Sequence, residues 1–163
     1  MSNNLHVIDE IDANLLDELQ NEGRISNAAL AERIGLSEAP CWRRLKRLES
    51  EGIIEGYRAI LNRKLLGLGV HAFVHVRVSS HEIDLAGRFE EKVREFDCVL
   101  SCHNVTGEVD YILQIVARDL EAYGAFTVVL RNLPGVTAIQ SSLCLREIKS
   151  TTAVPVGENL RTT

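Results

Sequence analysis

No stretch of this chain approaches the run of about 18 apolar residues that a membrane-spanning helix needs. The opening MSNNLHVIDEID carries neither a basic segment nor an apolar one, so no secretion leader and no membrane are expected, and the predicted location is cytoplasmic. Cysteine is sparse and unpaired: Cys41, Cys98, Cys102 and Cys144 show no CxxC spacing, which argues against a disulfide framework and for reduced thiols. His71 and His75 share one side of a strand pattern, and Cys98, Cys102 and His103 lie close in sequence. Nothing there offers four ligands in a recognised zinc spacing, so neither a metal nor a cofactor is expected. A nucleophile elbow, a phosphate loop and an HExxH helix are all missing, and the chain is predicted not to be an enzyme.

Positive charge is also in short supply. Eighteen Lys and Arg face 23 Asp and Glu for a net charge of -5, which excludes a surface that clings to polyanions everywhere. The first sixty residues do not escape this, with seven basic against eleven acidic side chains. One stretch stands out: Cys41 to Leu48 holds Arg43, Arg44, Lys46 and Arg47 and no acid. The chain has 163 residues, 45% of them hydrophobic and 25% charged, which is ordinary globular composition and room for two small domains.

In the front part, Ile8, Ile11, Leu15, Leu16 and Leu19 recur at helical spacing, with Asp9 and Asp12 near the positive end of that helix dipole. Ser26 is a candidate cap for a short helix over 27–34, with Ile25 stapling to Leu30, and Gly35 ends it. Ser37 then caps a third helix whose first turn tolerates Pro40 and which Gly52 stops. Two helices joined through GLS, the second of them basic, have the spacing of a helix-turn-helix.

The texture then changes. YRAIL has strand character, and NRKLLGLG reads as a connector. VHAFVHVRV alternates, with Val70, Ala72, Val74, Val76 and Val78 on one face and His71, Phe73, His75 and Arg77 on the other. Residues 83–95 place Ile83, Ala86, Phe89 and Val93 on one helical stripe. VLSCHNV and YILQIVA flank the turn TGEVD as a hairpin, residues 120–133 are helical, and TAIQSSLCLREIK is the closing strand. Strand, helix, strand, strand, helix, strand is the split βαβ order, a four-stranded sheet with both helices on one face. Its other face is wet or covered by a second subunit. The predicted fold is therefore α+β. It comprises a helix-turn-helix (winged-helix-like) domain over 1–56, a linker strand and connector over 57–69, a ferredoxin-like βαββαβ domain over 70–154, and a flexible tail over 155–163.

On the third helix Cys41, Leu45 and Leu48 form one narrow inward stripe, while Ala39, Arg43, Lys46 and Arg47 fall on the opposite side with Trp42 and Arg44 at the edges. Lys46 with Glu49 and Arg47 with Glu51 have ion-pair spacing, worth about 0.2 to 0.5 kcal/mol each. Arg43 and Arg47 repel at four-residue spacing, which local stability does not favour. Arg43 and Arg47 are candidates for guanine edges or phosphates, and Lys46 for a point charge on phosphate. Ser37, Ala39, Pro40, Trp42 and Arg44 complete the DNA-facing set, with Ser37 and the helix amides suited to a phosphate and Trp42 suited more to packing against the rest of the domain than to touching DNA. A few phosphate contacts bind weakly, so dimerisation is implied.

IDANLLDELQNEGRISNAALAERIGLS, PCWRRLKRLESEGIIEGY, VTGEVDYIL, LPGV and SSLCLREIKSTT, taken in this order from about Ile8 to Pro155, resemble the Lrp/AsnC family of bacterial and archaeal transcriptional regulators, the feast/famine proteins. The resemblance implies a C-terminal domain of the RAM type that dimerises and assembles further, commonly to octamers. It also implies a small amino-acid effector held between dimers near NVTGEVD. Asp110 or Glu108 suits the ammonium of such a ligand; amides around Gly107, with Thr106 or Ser141 and Ser142, suit its carboxylate. Tyr123 and Phe126 line the same cleft or serve helix packing. Asn104, where relatives that bind leucine carry an apolar residue, and Glu108, where Asp is frequent, make a polar or sulfur-containing effector as credible as leucine.

The leading expectation is a sequence-specific regulator binding double-stranded DNA as an amino-acid-responsive homo-oligomer. An architectural DNA-wrapping protein of low specificity is one alternative, and a small-ligand enzyme or carrier is another.

Overall fold

The computed structural model describes residues 8–79 and 84–157. Ile83 and residues 158–163 of the expected tail lie outside them.

Three helices build the front unit: α1 (Glu10–Asn21), α2 (Asn27–Arg33) and α3 (Glu38–Ser50). Asp9 caps α1 by accepting the Asp12 amide at 2.8 Å, and Asp12 returns the contact to the Asp9 amide, a reciprocal capping box. Ser26 caps α2 by accepting from the Ala29 amide at 3.2 Å. Ser37 stands at the cap of α3 in extended conformation, but its hydroxyl makes no capping hydrogen bond, contrary to expectation. Gly35 and Gly52 adopt φ of 69° and 74°, the left-handed stops that end α2 and α3. Leu15, Leu16, Leu30, Ala31, Cys41, Leu45 and Leu48 form the core, with Ile25 and Leu19 packed against it.

The stretch YRAIL forms no strand; residues 55–62 have no regular structure within the chain, and Ile60 is 94% exposed. A strand needs a partner, and the described residues offer it none. The end of the chain corrects the sequence reading more sharply. Residues 150–157 group with the front unit rather than with the sheet. The Gln20 amide donates to the Val154 carbonyl at 3.0 Å and its carbonyl accepts the Val154 amide at 2.7 Å, while Val156 packs on the front core. The stretch 154–157 is thus a strap on α1, not a free tail.

The back unit, residues 61–149, holds β1 (Val70–Val78), α4 (Leu85–Arg94), β2 (Val99–Asn104), β3 (Tyr111–Ala117), α5 (Leu120–Arg131) and β4 (Val136–Leu143). The sheet is antiparallel in the order β2-β3-β1-β4, the expected ferredoxin-like arrangement. β4 ends at Leu143, six residues before the end of the expected closing strand. Ala72, Val74 and Val76 are fully buried beneath the helices with Leu113, Ile115, Phe89 and Leu130, as the alternation of β1 requires. On the opposite face Phe73 is exposed, but His71 is buried, which its polar character had not suggested.

Candidate nucleic-acid interface and ligand loop

α3 is held against α1 by charge as well as by its apolar stripe. Asp12, on the third residue of α1, is only 1% exposed. Its Oδ1 accepts from Arg44 Nη1 at 2.8 Å, and its Oδ2 accepts a short contact from Arg47 Nη2. Arg44 Nη1 also reaches Asp9 Oδ2 at 2.6 Å, and Arg47 Nη1 lies 3.6 Å from Glu51. The Asp12 amide and the Arg44 guanidinium hold the Asp9 carboxyl below its ordinary range, and Asp12 and Asp9 raise the pKa of Arg44. Arg47, expected on the outward side, therefore leans toward α1 while staying 39% exposed.

Lys46 is engaged as well, through Glu49 Oε2 at 2.7 Å and the face of Trp42, 4.5 Å from its ring centroid. Lys46 in turn holds the Glu49 carboxyl down, and Glu49 also accepts from the Tyr57 hydroxyl at 3.1 Å. Burial and that bond push Tyr57 up to about 12. Trp42 is exposed, so it is not the packing residue that one reading made it. Among the described residues Arg43 alone of the four cations has no carboxylate partner. Pro40, Arg43, Arg44 and Arg47 line a surface hollow of about 410 Å³, while Ser37 and Ala39 lie at the start of the same helix.

The second candidate set divides. Asn104, Thr106, Gly107, Glu108 and Asp110 share the β2–β3 hairpin, where Gly107 takes a φ of 122°. Asp110 is occupied structurally: its Oδ2 accepts the Val78 amide at 2.7 Å, and its carbonyl accepts from the Asn104 side chain at 3.0 Å. Arg77 Nε donates to the Glu108 carbonyl at 2.7 Å, tying the loop to β1 and leaving the Glu108 carboxylate outside. Tyr123 and Ser141 meet on the helix-covered face, hydroxyl to hydroxyl at 2.6 Å. Ser142 pairs with Phe73 and so lies on the open face. Among the described residues Ser141 and Ser142 thus lie on opposite faces of the sheet, and the set does not form one cluster within the chain. Asn104 instead borders a cavity of about 400 Å³ between α4 and the edge strand β2, whose lining includes Glu90, Cys102 and Tyr111. Tyr111 donates to Glu90 at 2.8 Å and, chiefly through burial, is pushed up to about 12. Among the described residues no group of three or more His, Cys, Asp and Glu side chains could hold a metal ion, and no helix is long and apolar enough to cross a membrane.

A three-helix unit with a basic third helix, followed by a βαββαβ sheet, defines a helix-turn-helix protein with a separate ferredoxin-like domain. The sequence profile of the Lrp/AsnC ligand binding domain matches residues 71–154, and that of a winged helix-turn-helix DNA-binding domain matches residues 8–55. The chain is 38% identical over 151 residues to the DNA-binding transcriptional activator DecR of Escherichia coli K12, covering 92% of this chain and 99% of that one. It is 38% identical over 143 residues to the leucine-responsive regulatory protein of the same strain, covering 87% of each. A crystal structure of a transcriptional regulator from Neisseria meningitidis in complex with L-Met superposes with a TM-score of 0.89 at 41% identity, over 91% of this chain and 97% of that one. The chain belongs to the Lrp/AsnC family.

Proposed function

We propose that this protein is a sequence-specific, DNA-binding transcriptional regulator whose binding or assembly responds to a small amino acid, and that it works in the cytoplasm as a binding protein rather than an enzyme. The observation that carries the reading is α3. It is the second helix of a helix-turn-helix, presents an Arg43 with no carboxylate partner among the described residues beside a hollow walled by two further arginines, and has its apolar stripe committed to the core. In this role Arg43 meets a base edge or phosphate, Arg44, Arg47 and Lys46 supply charge from fixed positions, and Ser37, Ala39, Pro40 and Trp42 border the contact. An architectural wrapper fits less well, because Arg44, Lys46 and Arg47 already face carboxylates and the chain carries a net charge of -5.

For the effector we favour an amino acid of the methionine type, since the relative from N. meningitidis is complexed with L-Met. The hairpin 104–110 offers the exposed Glu108 carboxylate to an ammonium, and the flexible backbone at Gly107 with Thr106 to a carboxylate. Asp110 holds the loop, and Tyr123, Ser141 and Ser142 join the site where copies of the chain meet. The open sheet face, with Phe73 exposed, is the seat for a second copy, and dimers assemble further to an octamer.

The test is a thermal-shift screen of the twenty amino acids, followed by duplex binding with and without any that stabilises the protein. L-Methionine is expected to raise the melting temperature and to change duplex affinity. A flat screen, together with equal affinity for promoter and scrambled duplexes, would refute the reading.

A further inference from the structure

Asp12 is the only carboxylate-bearing side chain fully buried among the described residues, and it belongs to α1, not to the helix that faces DNA. A buried charge is costly unless it is paired, and its partners here are two guanidinium groups of α3, one on each oxygen. Both arginines nevertheless stay 29% and 39% exposed and wall the same hollow as Arg43. Arg44 spends Nη1 on Asp9 and Asp12, and among the described contacts its Nε and Nη2 make no hydrogen bond, which leaves donors for a ligand.

We infer that Asp12 is a positioning residue for DNA recognition: it fixes the planes of Arg44 and Arg47 so that the hollow on α3 meets the duplex already ordered. The inference rests on the regulator reading above and adds a specificity determinant that never touches DNA. A long side chain held before binding avoids an ordering cost equivalent to about 3- to 10-fold in affinity. Two arginines freed from Asp12 would keep their charge and lose this selectivity. They would roam over phosphates, and the removed negative charge would strengthen binding to any sequence.

The experiment uses the full chain and a duplex selected by the wild-type protein from a random-sequence pool, with a scrambled duplex as the reference. Asp12→Asn keeps the shape and removes the charge. The ratio of specific to scrambled affinity is expected to fall about 10-fold, scrambled binding to hold or rise, and the salt dependence to steepen by about one phosphate contact. A folded Asp12→Asn protein with unchanged ratio and slope overturns the inference. Should that variant fail to fold, Arg47→Lys carries the test, because it keeps a cation on Asp12 but lacks the planar fork. Its ratio is expected to fall at least about 3-fold with melting temperature kept, and an unchanged ratio overturns the inference. A wild-type protein that selects no sequence at all removes the regulator reading itself, which is a different failure from a selective wild type and an equally selective variant.

Discussion

The front unit sets a buried aspartate beside a core of seven buried side chains, whereas the sheet unit rests on ten, including Phe89, Tyr111 and Tyr123, with no buried carboxylate among the described residues. The first is tied across its helices by Asp9–Arg44–Asp12–Arg47 and then strapped by the end of the chain through Gln20. The second is closed by cross-strand pairing and by aromatic contacts such as Phe89 with Tyr111, ring centroids 4.8 Å apart. A small core that also presents a charged surface gains fixed side chains from its ion pairs; a larger apolar core needs none.

The largest break in this comparison comes from the sheet unit. Phe89→Ala removes a fully buried ring and is expected to cost about 3 to 5 kcal/mol in urea unfolding of that unit. A loss below about 1 kcal/mol would mean that Phe89 is not central to the core. In the front unit, Gln20→Ala deletes both hydrogen bonds to Val154 and should cost about 1 kcal/mol, read as a lower melting temperature. Truncation after residue 149 should cost more, because it also removes Val156 from the core; an unaltered melt in both would return the strap to a free tail.

Much of this architecture was legible because it is local. The spacing of Leu15, Leu16 and Leu19, the Ser26 cap and the alternation of Val74 and Val76 each report a period of one element, and each element stands where the period put it. What escaped is what requires distant partners. Asp12 meets arginines more than thirty positions away, so its role as an anchor could not be read from the DEID cap. The tail looked free because its contact, Gln20, is 134 positions earlier. YRAIL reads as a strand by composition but has no neighbour within the chain. For the proposed ligand loop, the family resemblance points to NVTGEVD, but not to the fact that Asp110 spends its carboxylate on the Val78 amide.

The smallest expected effect sharpens the contrast by pH. Burial lowers the pKa of His71, assisted by nearby Arg63 and opposed by Glu147, against an ordinary value of 6.5. The unfolded chain therefore binds this proton first, so the contribution of His71 to the sheet unit is complete above pH 6.5 and is lost as pH falls through the lower folded value. Its side chain also meets Gln114 across the strands at 2.8 Å. Melting of the wild type should decline from neutral pH to about 5.5 by an amount near 1 kcal/mol or less, and His71→Gln should flatten that decline. An identical pH slope in the variant would rule out His71 as its source.

The most direct measurement is salt-titrated binding of wild type and Arg43→Ala to a selected duplex and a scrambled one. Arg43 is the cation of α3 without a carboxylate partner among the described residues, so its removal should cost about 1 to 3 kcal/mol of discrimination between the two duplexes. Wild type and Arg43→Ala that discriminate equally, with the same salt slope, would contradict the claim that α3 reads DNA.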